Sequence, residues 1–350
     1  MSRVLFVGGG TLGSLNPLLA TAKVVQENHP EVECDFWVSK IARDGEVVRE
    51  AGFTPTVLPS GKFRRYFSLQ NLVDIPVIIW ATYVAWKRLK ERKPAIVVTA
   101  GSFVAVPVAW AARRLRLPIL LYQQDTTLGF ANRLIARAST VRTATSDLQA
   151  KLLQAPVEIV GYALRLDLHR GNAERVWAKY GLQPEKLVVL VIGGSSGALG
   201  LNQKFIAALP YLNPELQILH ITGDGKAPAL QRPGYVQIPF TYAALADLYA
   251  AASFAITRAG SNVLAELIAL GKPMCIVPLP GTHQVQNAAS LEDHGALVCA
   301  EATLEPQVFA EIINHSCTSA GALKRLAAKT ANAWDVDGAP HLAQIVERYL

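Results

Sequence analysis

The sequence alternates along its whole length between short apolar runs and stretches of helical character, and this alternation constrains the fold more than any other feature. Runs at Val4–Val7, Asp35–Val38, Ala95–Thr99, Ile119–Tyr122, Val141–Thr145 and Glu158–Val160 form a first series. A second runs through Leu187–Ile192, Gln217–Ile221, Tyr235–Ile238, Phe254–Thr257, Met274–Val277 and Ala296–Cys299. They are rich in valine and isoleucine and often apolar on both faces, as strands of a parallel sheet covered on each side must be. Strands alternating with helices predict doubly wound α/β sheets.

The pattern restarts once. Gly8-Gly9-Gly10 follows the first strand, and Gly193-Gly194-Ser195-Ser196-Gly197 follows the strand at Leu187–Ile192, each turn opening a helix. Two such units in 350 residues predict two Rossmann-like domains. The boundary falls near Pro156–Asp167, giving domains over residues 1–160 and 161–335. A last helix at 340–350 has no following strand and can pack on either domain.

Hydrophobic residues at 51% and charged residues at 17% exclude a disordered chain. The four cysteines, Cys34, Cys275, Cys299 and Cys317, fit no zinc spacing and read as buried thiols of a reducing compartment. No signal peptide is expected, because Met1-Ser2-Arg3 runs directly into a strand. Charge is uneven: residues 1–165 carry 21 Lys and Arg against 12 Asp and Glu, the remainder 13 against 15. A basic first half suits an anionic partner such as nucleic acid, a phosphorylated substrate or anionic lipid; ordinary solubility charge is the plainer account.

Within residues 62–93 the apolar, aromatic stretch Ile75–Trp86 is flanked by Lys62, Arg64 and Arg65 on one side and Lys87, Arg88, Lys90, Arg92 and Lys93 on the other. It is too short to span a bilayer, which needs roughly twenty residues. Trp and Tyr beside a cationic cluster suit a helix lying on an anionic membrane. A core helix with a solvated basic end fits equally.

Gly8-Gly9-Gly10-Thr11-Leu12-Gly13 matches the dinucleotide pattern G-x-G-x-x-G. The acidic residue wanted at the end of the second strand is missing, since Asp35 opens that strand and Ser39-Lys40 close it, so an NAD reading fails. What remains is a tight turn offering backbone N–H groups to an anion, with Pro17 in the first turn of its helix. Gly193–Gly197 makes the same offer, with serine hydroxyls added. A plain βα turn explains either one alone; the pair in equivalent positions points to ligand binding.

Beyond the strand Phe254–Thr257 lies Arg258-Ala-Gly-Ser261-Asn-Val-Leu-Ala-Glu266. Glu266 can hold a ribose or, as a helix-start carboxylate, complement the dipole. After Met274–Val277 come His283, Gln284 and Asn287, amide and imidazole groups suited to neutral polyols at the carboxyl end of a parallel strand. A satisfied loop histidine is the default for His283 alone.

Taken in order, these motifs resemble the GT-B glycosyltransferases that use UDP-sugars, and among them the MurG family of UDP-N-acetylglucosamine transferases, which convert lipid I to lipid II. The resemblance covers about residues 3–300. Gly9-Gly10-Thr11-Leu12-Gly13-Ser14 stands where the family has G-G-T-G-G-H, and Tyr122-Gln123-Gln124-Asp125 with Gly129–Asn132 where it has H-E-Q-N and G-L-T-N. Val160–Arg165 resembles V-G-N-P-V-R, and Gly193–Ala198 with Leu201-Asn202-Gln203 resembles G-G-S-Q-G-A and L-N-Q.

The resemblance implies two domains facing a cleft that closes on the donor. It implies uracil contacts at Phe240 and Thr241, Glu266 at the ribose, and Ser261 among the UDP-sugar contacts. Ser195 and Arg165 would hold the diphosphate, and His283, Gln284 and Asn287 the N-acetylglucosamine. The first domain would bind the lipid-linked acceptor through Gly9, Gly10, Thr11, Gly13, Gln124 and Asn132, and dock through residues 62–93 on the cytoplasmic face of the membrane. It implies no nucleic acid partner, no cofactor and no metal; Asp335-Val-Asp337 imitates a metal-binding D-x-D but suits turn and cap duty.

The departures lie in the acceptor half. The family's loop histidine is Ser14, its glutamate is Gln123, and its G-G-Y turn is Gly101-Ser102-Phe103. The transfer needs a general base, and the only histidine in residues 1–165 is His29. Asp125 is the titratable group left in the matching motif; an Asx turn or helix cap is its other reading. A working transferase on lipid I or another lipid acceptor, and a UDP-sugar binder that has lost catalysis, both remain open.

Overall fold

The computed structural model describes residues 2–59, 69–194 and 197–350, with the side chains of 69–75 left out. Ser195, Ser196, Lys62, Arg64 and Arg65 thus lie outside the described residues. The chain divides into two compact units, Met1–Arg165 with Asp337–Leu350, and Leu166–Val336.

The first unit opens with β1 (Arg3–Val7), α1 (Leu12–Asn28), β2 (Glu33–Val38), α2 (Ala42–Glu50), β3 (Pro55–Val57) and α3 (Leu69–Arg92). It continues with β4 (Ile96–Thr99), α4 (Ala105–Arg114), β5 (Ile119–Gln123), α5 (Phe130–Ala136), β6 (Val141–Ala144), α6 (Asp147–Ala150) and β7 (Glu158–Ile159). The second holds α7 (Ala173–Tyr180), β8 (Val188–Ile192), α8 (Leu199–Ala208), β9 (Gln217–Ile221), β10 (Tyr235–Ile238), α9 (Leu245–Ala251) and β11 (Phe254–Thr257). There follow α10 (Ser261–Ala269), β12 (Met274–Ile276), α11 (Gln284–Glu292), β13 (Leu297–Val298), α12 (Pro306–Ser316) and α13 (Ala320–Thr330). The last helix, α14 (Gly338–Glu347), belongs to the first unit, where its Glu347 Oε1 accepts from Asn28 Nδ2 at 2.8 Å.

Both sheets are parallel, in the orders β3-β2-β1-β4-β5-β6-β7 and β10-β9-β8-β11-β12-β13. Their central strands are buried end to end, as the unbroken apolar runs require. β3 is the strand the apolar runs do not announce. It has three residues and begins with Pro55, tolerated because it lies at the sheet edge, where a missing N–H interrupts no central ladder. The first unit ends after Arg165 rather than at residue 160. Tyr122 Oη donates to Gly161 O at 3.0 Å and accepts from Ala163 N at 3.1 Å, tying that segment to β5.

Three cysteines are buried, but Cys34 is half-buried near the start of β2. Cys275 and Cys299 share a hydrogen bond, Sγ to Sγ 3.5 Å. Asp337 stands at the cap position before α14, yet its side chain makes no cap hydrogen bond, so the expected cap duty is not performed.

Candidate active site

In each sheet the strand order reverses beside the first strand, between β1 and β4 and between β8 and β11. Ligands of open α/β sheets bind beyond the carboxyl ends of strands at such points. The glycine turns follow β1 and β8, so both lie where a ligand is expected.

The first turn is already partly engaged. Gly9 N donates to Ser14 Oγ at 3.0 Å, and that hydroxyl also meets Gly9 O and Thr11 O, each at 3.2 Å. Gly10 N donates to Asp44 Oδ2 at 2.7 Å, and the Ser39 hydroxyl donates to the same oxygen. Gly9 has φ +136°, and a Cβ there would stand 2.5 Å from Asp44 Oδ2, so the turn demands glycine. Ser14, at the position of the family's histidine, is buried and braces the turn from within. The exposed Thr11 precedes α1 at its N-cap position.

Pro17 sits in the second turn of α1 rather than its first. A proline there has no N–H for the carbonyl four residues back, which is Gly13. Gln124 supplies the donor instead: its Nε2 reaches Gly13 O at 2.6 Å. Among the described residues, Gln124 Oε1 is buried without a hydrogen-bond partner.

The end of β5 is organised by Gln123, only 1% exposed. Its Nε2 donates to Asp125 O at 2.7 Å and Thr127 O at 3.2 Å, and its Oε1 accepts from Asn132 Nδ2 at 2.7 Å. A carboxylate could not donate to those carbonyls, so glutamine fits this loop where glutamate would not. A Cβ on Gly101 would overlap the Asn132 side chain, which keeps that neighbour glycine. Asp125 is half-buried near Tyr162, whose hydroxyl is pushed above its ordinary pKa by burial, with the Asp125 charge adding to the effect.

In the second unit, candidate residues follow one strand after another. Phe240 and Thr241 follow β10, and Thr241 Oγ1 accepts from Ala244 N at 3.2 Å. Beyond β8, Gly194 and Gly197 have positive φ, and Gly197 N closes the turn on Gly194 O at 3.0 Å. Beyond β11, Glu266 lies in the second turn of α10, past the reach of a helix-start dipole role. It is 2% exposed, and its Oε2 accepts from Tyr249 Oη at 2.7 Å. Asn287 is fully buried, and its Nδ2 donates to Ala259 O at 3.0 Å and Ser261 Oγ at 3.2 Å, binding α11 to the start of α10. His283 and Gln284 are half-buried at the head of α11, with Gln284 Oε1 accepting from Leu279 N at 3.0 Å. Arg165 is buried at the end of the first unit.

Residues 4–143 match the glycosyltransferase family 28 N-terminal domain, and residues 188–341 match the family 28 C-terminal domain. The chain is 33% identical to a UDP-N-acetylglucosamine–N-acetylmuramyl-(pentapeptide) pyrophosphoryl-undecaprenol N-acetylglucosamine transferase of Bacillus cereus, covering 84% of this chain and 85% of the relative. It is 34% identical to the transferase of that name from Staphylococcus carnosus, covering 84% and 83%. The chain belongs to glycosyltransferase family 28. Its fold is GT-B: the crystal structure of MurG from Acinetobacter baumannii superposes with a TM-score of 0.71 at 24% identity, over 99% of this chain and 100% of that one.

Three features of this family 28 chain escape sequence reasoning. Tyr249 holds Glu266 from a different helix. Arg258 pairs with Glu301 at 2.9 Å through each of two nitrogens and donates to Val277 O at 3.0 Å, so a buried bidentate pair fixes the chain leaving β12 toward His283. Lys226 lies in a loop with no motif. The helix α3 buries one face and leaves large side chains exposed on another. Ala81, Ala85 and Leu89 are buried at helical spacing, while Ile79 (66%), Trp80 (58%) and Tyr83 (52%) are exposed. With Trp86, Trp110 and Arg114, Ile79 and Tyr83 line an apolar depression of about 450 Å³. No helix among the described residues is long and apolar enough to cross a membrane.

Proposed function

We propose that this chain transfers N-acetylglucosamine from UDP-N-acetylglucosamine to N-acetylmuramyl-(pentapeptide) pyrophosphoryl-undecaprenol. The carrying observation is the identity, near one residue in three over most of both chains, with transferases bearing that name. The arrangement of donor candidates at the carboxyl ends of β10, β8, β11 and β12 agrees with it.

Glu266, oriented by Tyr249, accepts from the ribose; Phe240 and Thr241 meet the uracil; His283 and Gln284 read the sugar, while Asn287 holds Ser261 beside it. Ser195 and Arg165 take the diphosphate. On the acceptor side, the turn from Gly9 and Gly10 through Thr11 to Gly13 faces the lipid diphosphate. The unpartnered Gln124 Oε1 accepts from an acceptor hydroxyl, and Asn132 acts through Gln123 on the loop bearing Asp125. The acceptor oxygen bonds to the anomeric carbon, the bond from that carbon to the β-phosphate oxygen breaks, and UDP departs with the electron pair. Asp125 receives the hydroxyl proton. Ser14 braces the turn and takes no proton.

The exposed aromatics of α3 beside Lys87, Arg88, Lys90 and Arg114 suit docking on an anionic membrane, at the cytoplasmic face where the donor is available. Sedimentation with phosphatidylglycerol vesicles but not phosphatidylcholine vesicles is expected, and equal recovery with both would refute the docking.

The test of function is UDP release from UDP-N-acetylglucosamine with and without a lipid I analogue in detergent. Release that depends on the analogue is expected, and Asp125→Asn should abolish it while leaving donor binding intact. Donor binding without release would instead leave a UDP-sugar-binding protein.

A further inference from the structure

The second sheet places a donor candidate beyond every strand from β10 to β12 except β9, which lies between the uracil segment and the glycine turn. The loop after β9 carries one cation near that turn. Lys226 is half-buried, and its Nζ donates to Gly197 O at 3.3 Å. Gly197 itself has φ +69°, and a Cβ there would stand 2.8 Å from Thr222 O and 3.0 Å from Lys226 Cδ, so turn and loop are pressed together.

A buried network fixes the loop. Asn202 Nδ2 donates to Thr222 O at 2.7 Å and Lys226 O at 3.0 Å, which orients its amide and leaves Oδ1 toward His220 Nε2 at 3.1 Å. His220 therefore carries its proton on Nε2, and its Nδ1 accepts from Tyr235 Oη at 2.8 Å. Three fully or mostly buried polar side chains thus hold the backbone of one half-exposed lysine. A surface lysine with only a solubility role has no use for such support, whereas a phosphate ligand must be held in place.

We propose that Lys226 is a diphosphate ligand of the donor site, its ammonium passing from the Gly197 carbonyl to a diphosphate oxygen of bound UDP-sugar and stabilising the negative charge that UDP gains on leaving. This rests on the proposed donor site. A carbonyl is a weak partner for an ammonium and a phosphate oxygen a strong one, so the exchange is favourable once the donor arrives. Lysine acts here as a compact point charge, able to follow the leaving oxygen.

The test uses the full chain and calorimetric titration with UDP, UMP and uridine, with thermal melting to verify folding. Lys226→Ala should weaken UDP binding about tenfold or more, the order of one charge-assisted contact. It should weaken UMP less and leave uridine unchanged, while Lys226→Arg should recover part of the loss. Equal losses for UDP and uridine would reduce Lys226 to a structural tie, and unchanged UDP binding would exclude the contact; either overturns the proposal. Failure of the unmodified chain to bind UDP would overturn the donor reading beneath it.

Discussion

Replacing Tyr249 with phenylalanine removes one hydroxyl and little else. The ring stays packed in a fully buried place, so the change removes the hydrogen bond of 2.7 Å to Glu266 Oε2 without disturbing the packing. Glu266 is 2% exposed, and water has little access to replace the lost donor. A hydrogen bond to a charged group contributes about 1.5–3 kcal/mol, and a buried acceptor left short of a partner costs a similar amount. Urea unfolding should therefore show Tyr249→Phe destabilised by about 2 kcal/mol with an unchanged m-value. The functional effect follows from orientation. The carboxylate loses its Tyr249 donor, and on the proposed role of Glu266 the ribose hydroxyls then meet a group that must be ordered on binding. UDP affinity should fall about tenfold, corresponding to about 1.4 kcal/mol. Calorimetric titration with UDP at a temperature where both proteins are fully folded separates the two effects. A variant that loses stability yet binds UDP like the parent would refute the link between Tyr249 and the ribose, and one that loses neither would refute the hydrogen bond itself.

Two further perturbations test the scaffold of the proposed donor site. Glu301→Ala strands the buried Arg258 guanidinium and should cost about 3–5 kcal/mol in urea unfolding, since breaking a buried pair leaves an uncompensated charge; a loss below about 1 kcal/mol would refute this role. Burial holds His220 down to about 4 in the folded chain, against an ordinary value of 6.5. The unfolded chain therefore binds the extra proton first as pH falls, and the contribution is complete above about 6.5 and lost on descent toward about 4. Between pH 7 and pH 5 the parent should lose about 2 kcal/mol more than His220→Gln, and parallel profiles for the two would refute the assignment.

Those features that depend on neighbours in the chain can be read from the residues alone. The parallel sheets announce themselves because a strand covered on both faces must be apolar throughout, as Val188–Ile192 is. The glycine turns announce themselves because Gly9 and Gly197 occupy conformations and spaces closed to other side chains. β3 is silent because three residues at an edge carry no periodicity. Glu266 and His283 belong to local motifs and can be singled out, but Tyr249 and Glu301 reach the site only through packing of separate elements, and nothing near them in the chain marks their partners. Lys226 has the same difficulty, since a lysine in a polar loop looks like any other. Ser14 and Gln123 illustrate a different limit: the sequence shows which residues are replaced, but only the hydrogen bonds show that both replacements brace loops.

Pro17 and Gln124 form a compensated pair, the first deleting a helix donor and the second restoring one from the loop after β5, on the far side of the switch point. Such pairs restrict how the chain can drift. Loss of the glutamine alone removes the donor that Pro17 makes necessary, while loss of the proline alone returns a backbone N–H to a carbonyl that can accept from both. The route to another residue at position 124 therefore runs through a less stable intermediate unless position 17 changes first. The start of α1 and the loop after β5 are therefore bound to one another not only in space but in the order in which their residues can be exchanged.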